Sequence, residues 1–259
     1  MKTFKERVQN REYLCGTHIS INDTCIAKIV GLLGFDYVWI DMEHSYLTYE
    51  NLLNEIMVLQ AMGTPVIVRA PQHDLTATKK IMEMGPDGII FPMVRTKKEV
   101  EEVLSMTLYP PHGTRGFGPR NAVDYGLGDI DHYIHNNHKD MCRFIQIEHT
   151  NLIDELEEIV ENPFLDGYIF GANDLSGSIG ELTNTYGENT QKLIQKAISI
   201  LNKHKKCIGL STDDIAPEQL SFWHDLGIHM ISAGSECGAM TGYFKQVRQT
   251  LKASHEQRK

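Results

Sequence analysis

Short, continuously apolar runs alternate along the whole chain with longer stretches whose apolar residues recur at helical spacing. The runs YVWI, VIV, GIIF, FIQI, YIF and MISA lack the apolar–polar alternation of a half-exposed strand. Unbroken runs of this kind belong to parallel strands covered on both faces. With two further β-rich segments, 13–20 and 207–212, they give eight candidate strands, the others at 36–41, 65–70, 88–92, 142–148, 167–171 and 229–233. Between them, residues 51–61 (NLLNEIMVLQA) set their apolar side chains on one helical face. Residues 96–106 open with a threonine cap followed by acidic residues, a helix start signal. Residues 152–160, 190–201, 217–226 and 240–251 follow the same pattern. A strand-then-helix order with right-handed crossovers builds a parallel sheet. Eight such units predict one closed (β/α)₈ barrel, an α/β fold, over residues 1–259, a length close to the ~250 residues usual for that architecture.

One stretch breaks the rhythm. Residues 109–140, with YPPHGTRGFGPRNAVDYGLGD, are rich in Gly and Pro and predict a long loop with a short helix near its end. Its place before the fifth strand suggests that it shapes the substrate side of a site. The last residues, KASHEQRK, read as a frayed or partner-contacting tail.

A formal net charge of -9 disfavours nucleic acid, whose phosphates call for a basic surface. It leaves room for an anionic substrate held by a local Arg or a metal. The five cysteines are widely spaced, form no CxxC pair and are odd in number, which suits reduced thiols in the cytoplasm. The N-terminal MKTFKERVQNREYL lacks an apolar signal core, and no apolar run reaches the ~18 residues of a membrane span. The sequence thus predicts a cytoplasmic enzyme of small molecules, with neither membrane nor nucleic acid as partner.

Barrel enzymes carry their chemistry at the C-terminal ends of the strands. Those ends supply His18, then Asp41, Glu43 and His44, then Arg69, then Gln146, Glu148 and His149, then Asn173 and Asp174. Glu148 and Asp174 end adjacent strands, and two carboxylates so placed make a site for a hard divalent cation whose shell is completed by water and substrate oxygens. Carboxylate ligands accept Mg²⁺, Mn²⁺ or Co²⁺. Arg69 offers a guanidinium fork to an enolate oxygen or a carboxylate, or pairs with a rim acid, or both. His44 is a candidate base, since imidazoles titrate at about pH 6.5. His112, His132, His135 and His138 read as structural or solvated. The segment 172–176 (ANDLS) begins a helical turn whose backbone N–H groups suit a carboxylate. No lysine ends a strand, as a Schiff-base aldolase requires; Lys205 and Lys206 precede the seventh strand. No GxSxG elbow is present, and no GxGxxG follows the first strand. Gly234-Ser235 at the end of the eighth strand gives only a thin signal for phosphate.

The segments GFDYVWIDMEHS, PVIVRA, GIIFPMV, YPPHGTRGFG, FIQIE and GANDLS, in this order, resemble the HpcH/HpaI group of class II pyruvate aldolases, from about Gly16 to Gly234. The resemblance implies reversible cleavage of a 4-hydroxy-2-oxo acid to pyruvate and an aldehyde through a pyruvate enolate stabilised by a divalent ion. It implies Glu148 and Asp174 as metal carboxylates, Arg69 on the enolate oxygen, His44 as base, Gln146 as a site glutamine, and the Asn173 and Asp174 amides as carboxylate dock. It also implies a homo-oligomer, a hexamer of paired barrels that exchange C-terminal helices. Two positions depart from the family pattern. His18 in GTHIS stands where a Trp is usual, so it enters the substrate-binding set with an unassigned role. Glu83 in MEMG stands where an Asp usually partners the histidine base. The alternatives are another lyase, decarboxylase or hydrolase acting on a pyruvate-like 2-oxo acid with the same metal, or a non-catalytic 2-oxo acid binder. The latter would have no use for a base.

Overall fold

A computed structural model describes residues 2–257. Its eight parallel strands close into a barrel in sequence order, β1-β2-β3-β4-β5-β6-β7-β8. They are β1 Leu14–Ile19, β2 Tyr37–Asp41, β3 Val66–Arg69, β4 Gly88–Phe91, β5 Cys142–Ile147, β6 Gly167–Phe170, β7 Cys207–Thr212 and β8 Met230–Ser235. Each falls within an expected strand to within two residues, and β2, β4, β5 and β6 are buried along their whole length.

The strands divide the core in two. Outward-facing side chains such as Val38, Ile40, Val68, Ile89, Ile145 and Tyr168 pack under the helices. Inward-facing Leu14, Trp39, Ile67, Ile90, Phe144 and Ile169 fill the barrel interior together with Phe4 and Val8. The last two come from a short N-terminal helix, Phe4–Gln9, which stops the N-terminal end of the barrel. The interior is therefore apolar at that end, and the polar inward-facing residues are left at the C-terminal rim.

The expected helices are present over Tyr49–Ala61, Lys97–Ser105, Glu188–Lys203, Pro217–Asp225 and Glu236–Glu256, with Thr96 capping the second of them. The stretch 152–160 divides into two short helices, Thr150–Asp154 and Leu156–Ile159. Helices Thr24–Leu32 and Leu75–Met84 complete the alternation. The segment read as a frayed tail is helical to Glu256, and its last two residues lie outside the described ones.

The long 109–140 segment holds a 3₁₀ turn, Asn121–Gly126, and an eleven-residue helix, Ile130–Asp140. It runs down the outside of the Leu75–Met84 helix: Gly116 faces Lys79, Gly118 faces Glu83, and Asn121 Nδ2 donates to the Met84 carbonyl at 2.8 Å. Inside, Arg115 is 1% exposed and its guanidinium stacks on Tyr109 and Tyr133. The expectation that this segment shapes the substrate side is not met within the chain, because it is tied to the outer, N-terminal part of the barrel by these contacts.

Candidate active site at the C-terminal rim

Parallel register decides which rim residues meet. Asp41 at the end of β2 lies opposite Arg69 at the end of β3. Arg69 Nε donates to Asp41 Oδ1 at 2.9 Å and Nη2 donates to Oδ2, a two-pronged pair. Nη1 turns the other way, 3.0 Å from Glu43 Oε2 and 3.4 Å from Gln146 Oε1. Trp39 supports the guanidinium from below, 5.2 Å from the ring centre. Burial alone would raise the Asp41 pKa, but the Arg69 pair and the backbone N–H groups of Glu43 and His44 bring it below its ordinary value. Arg69 is thus held in one orientation, and Asp41, which carried no assigned role in the sequence, is what holds it.

Glu148 follows β5 and is 4% exposed. Its Oε2 accepts the Met93 backbone N–H at 2.7 Å. A methyl group at Gly171 would sit 2.2 Å from Glu148 Oε1, so a residue without a side chain is needed there for the carboxylate to fit. Burial pushes the Glu148 pKa up to about 7, and the nearby Glu43 and Asp174 carboxylates add to the effect. Glu43 is also raised, first by burial and then by Asp41 and Asp174, against Arg69. Four carboxylates, Asp41, Glu43, Glu148 and Asp174, gather at one fixed guanidinium and leave negative charge uncompensated. Two of them, Glu148 and Asp174, face the same cavity as hard oxygen donors, so the residues fit the divalent ion expected from the sequence. Among the described residues no group of three or more His, Cys, Asp and Glu side chains forms a closed cage, which leaves the two-carboxylate arrangement as the candidate.

That cavity measures about 460 Å³, within the usual range for small-molecule sites. His18, His44, Arg69, Gln146, Glu148, Asn173 and Asp174 all line it. His44 stands at its mouth, its side chain 67% exposed and its Nε2 3.7 Å from Glu43 Oε2. Asn173 and Asp174 lie in the first turn of the short helix Ala172–Gly177, which has no side-chain cap on its amides. His18 Nδ1 is 3.2 Å from Ser232 Oγ, and its Nε2 is 3.7 Å from Asp213 Oδ1. Burial lowers the His18 pKa in spite of Asp213.

Glu83 is the expected residue that this chain does not bring to the site. It occupies the last turn of the Leu75–Met84 helix, toward the N-terminal end of the barrel, against Gly118. Within one chain the acid beside His44 is Glu43. Conversely, Ser211 and Thr212 at the end of β7, Asp213 and Asp214 just after it, and Thr185 and Tyr186 from the loop before Glu188–Lys203 line the cavity and were not singled out. The end of the seventh expected strand was the available signal for the first four.

Comparison with known proteins places the chain among barrels of one kind. The family described as HpcH/HpaI aldolase/citrate lyase matches residues 15–240. A hydroxypyruvate/pyruvate aldolase of Roseobacter denitrificans is 29% identical over 247 residues, covering 95% of this chain and 96% of that protein. A 2-keto-3-deoxy-L-rhamnonate aldolase of Escherichia coli K12 is 27% identical over 231 residues, covering 89% of this chain and 86% of that protein. Among solved structures, an HpcH/HpaI aldolase from Desulfitobacterium hafniense DCB-2 superposes with a TM-score of 0.89 at 22% identity, over 97% of both chains. The citrate synthase SbnG superposes with a TM-score of 0.85 at 24% identity, over 98% of this chain and 99% of that one. At these identities the structural likeness is one of fold.

Proposed function

This chain belongs to the HpcH/HpaI aldolase/citrate lyase family, and we propose that it is a class II aldolase, a carbon–carbon lyase that reversibly cleaves a 4-hydroxy-2-oxo acid to pyruvate and an aldehyde. The observation that carries the reading is the convergence of Arg69, Gln146, Glu148, Asp174 and His44 on one cavity. Glu148 and Asp174 would hold a Mg²⁺ or Mn²⁺ ion, or Co²⁺, which when bound acts as a Lewis acid toward the 2-oxo group and makes the adjacent methyl more acidic.

The protein's own groups do the rest. Arg69, held in place by Asp41 and with Nη1 turned toward Glu43 and Gln146, lies on the cavity wall where its guanidinium can donate to the oxygen that becomes the enolate. The amides of Asn173 and Asp174 receive the carboxylate of the 2-oxo acid. His44 takes a proton from the pyruvate methyl in the direction of synthesis and from the C4 hydroxyl in cleavage. It stands at the solvent side, in contact with Glu43, which can stabilise the imidazolium. Glu83 would assist His44 only from a neighbouring copy.

Assembly belongs to the same proposal. The Glu236–Glu256 helix buries none of its residues in its own chain and exposes Met240, Tyr243, Phe244 and Leu251, which supports an oligomer, a hexamer of helix-exchanging pairs. A cytoplasmic location agrees with five free cysteines, and no helix among the described residues is long and apolar enough to cross a membrane.

The test is pyruvate release from a panel of 4-hydroxy-2-oxo acids with Mn²⁺ or Mg²⁺, before and after excess EDTA. Release should be EDTA-sensitive, and His44→Ala should lower it by about 10²–10⁴-fold while leaving metal and pyruvate binding intact. An unchanged rate in His44→Ala would overturn the mechanism.

A further inference from the structure

The cavity has two walls of different chemistry. One, built on β3, β5 and β6, carries Arg69, Gln146, Glu148 and Asp174 and is committed to the 2-oxo acid. The other is built on β7, β8 and β1. Ser211 and Thr212 end β7, Asp213 and Asp214 follow it, and His18 on β1 reaches Ser232 on β8. This second wall is where a cavity of about 460 Å³ has room for more than a three-carbon acid.

Its charge has one sign. The Asp213 side chain is 79% exposed, and its Oδ1 accepts from Ser235 Oγ at 3.3 Å. Asp214 Oδ1 accepts the Ala216 backbone N–H at 3.0 Å. Neither Oδ2 has a hydrogen-bond partner among the described residues. The one Arg or Lys lining the cavity is Arg69, already shared by Asp41 and Glu43. His18 is mostly buried with its ring between Trp39 and Ser232, and that burial lowers its pKa. A divalent ion would balance Glu148 and Asp174 but not the two aspartates across the cavity. A second carboxylate entering on this side would therefore meet like charge with no Lys or Arg cation to offset it, whereas neutral hydroxyl groups could donate to the carboxylates and exchange hydrogen bonds with the wall's hydroxyl and imidazole groups.

Resting on the aldolase reading above, we infer that the β7–β8–β1 wall selects a neutral, hydroxyl-bearing aldehyde as the second substrate and rejects an aldehyde that carries a carboxylate. Asp213 and Asp214 are the specificity-determining residues, and the rejection is electrostatic.

The experiment has two arms on the Mn²⁺-loaded enzyme. The first follows exchange of pyruvate methyl protons in D₂O by NMR with no aldehyde present, which reads enolate formation alone. The second compares kcat/KM for glyceraldehyde and for succinic semialdehyde, each with pyruvate, in the wild type and in the D213N/D214N variant. These substitutions keep the Oδ1 acceptor and remove the charge. The wild type should exchange pyruvate protons and favour glyceraldehyde by about tenfold or more, a ratio equivalent to roughly 1.4 kcal/mol. The variant should still exchange pyruvate protons and should narrow that ratio by about as much, chiefly by gaining on the semialdehyde, and added salt should narrow it in the wild type. Proton exchange together with equal or better use of the semialdehyde by the wild type overturns the inference and leaves the aldolase reading standing. So does a ratio that the variant does not move. No proton exchange at all overturns the aldolase reading, and the inference falls with it.

Discussion

At the N-terminal end of the barrel Lys5 is 6% exposed, and its ammonium donates to the carbonyls of His138 and Met141 at 2.9 Å and to Asp166 at 3.0 Å. Asp166 also accepts the Arg143 backbone N–H, and the fully buried Arg143 guanidinium donates to Thr107, Asn137 and two carbonyls. At the C-terminal end Glu148 is buried just as deeply, yet it has one backbone donor on one oxygen and two other acids nearby. Each buried charge of the first group has its partners, and the group is structural. The second group is left short of positive charge, beside a cavity. Burial and ionisability are common to both ends; what separates them is whether the partner lists close within the protein.

The comparison breaks most sharply if the two ends are neutralised in turn. Glu148→Gln should lower aldol turnover by about 10³-fold or more, since one of the two expected metal carboxylates is gone. The metal-free protein should lose no thermal stability, because the substitution removes a buried carboxylate whose charged form burial and its acidic neighbours disfavour. Turnover and a melting curve in EDTA check the two halves, and a variant that unfolds would show that Glu148 serves the fold.

Lys5→Ala should do the reverse. It leaves Asp166 buried without its ammonium, and the loss of one partner of a buried pair costs about 3–5 kcal/mol. Urea unfolding measures that loss. The turnover of the fraction that remains folded should match the wild type, because Lys5 lies at the opposite end from the cavity. A lowered kcat in the folded fraction would mean that the two ends are coupled.

The same contrast explains what the sequence disclosed. Most strands were legible because a strand buried on both faces writes an unbroken apolar run, as β2, β4, β5 and β6 do, and the ends of all eight differ from the expected ones by at most a residue or two. Helix Thr24–Leu32 was not, since Ile29 and Leu32 are 58% and 69% exposed in the single chain and no polar face marks the period. Helix Leu75–Met84 was hidden for another reason: its buried face is Ala77, Thr78, Ile81 and Met82, and two of these four are too small or too polar to read as part of an apolar face. At the site, the rule that chemistry sits at strand ends found seven of the cavity's lining residues, because chain order alone delivers them. It did not reveal that Asp41 clamps Arg69, which depends on the register between β2 and β3. Nor did it reveal that Glu83 points away, which depends on where a helix ends and on a loop with no periodic pattern.

A third buried acid, outside both groups, sharpens the argument with a smaller effect. Glu55, on the Tyr49–Ala61 helix, is 1% exposed, and neither carboxylate oxygen makes a well-formed hydrogen bond. Burial pushes its pKa up to about 7, with Glu236 and Asp23 adding to the effect and the Asp23 backbone N–H opposing it. The sign follows from linkage. Below about pH 4.5 Glu55 is protonated in both folded and unfolded chains and contributes no difference. As pH rises from there to about 7 the unfolded chain releases its proton while the folded chain keeps it, so stability falls, by up to about 3 kcal/mol. Glu55→Gln should therefore be more stable than the wild type at pH 8, and unfolding free energies measured across pH 5–8 should show a flatter slope. Its aldol activity should be unaltered, because Glu55 does not line the cavity. A slope identical to the wild type's would mean that Glu55 is ionised in the folded chain and has a partner there, and would move it into the class of the buried charges at the N-terminal end.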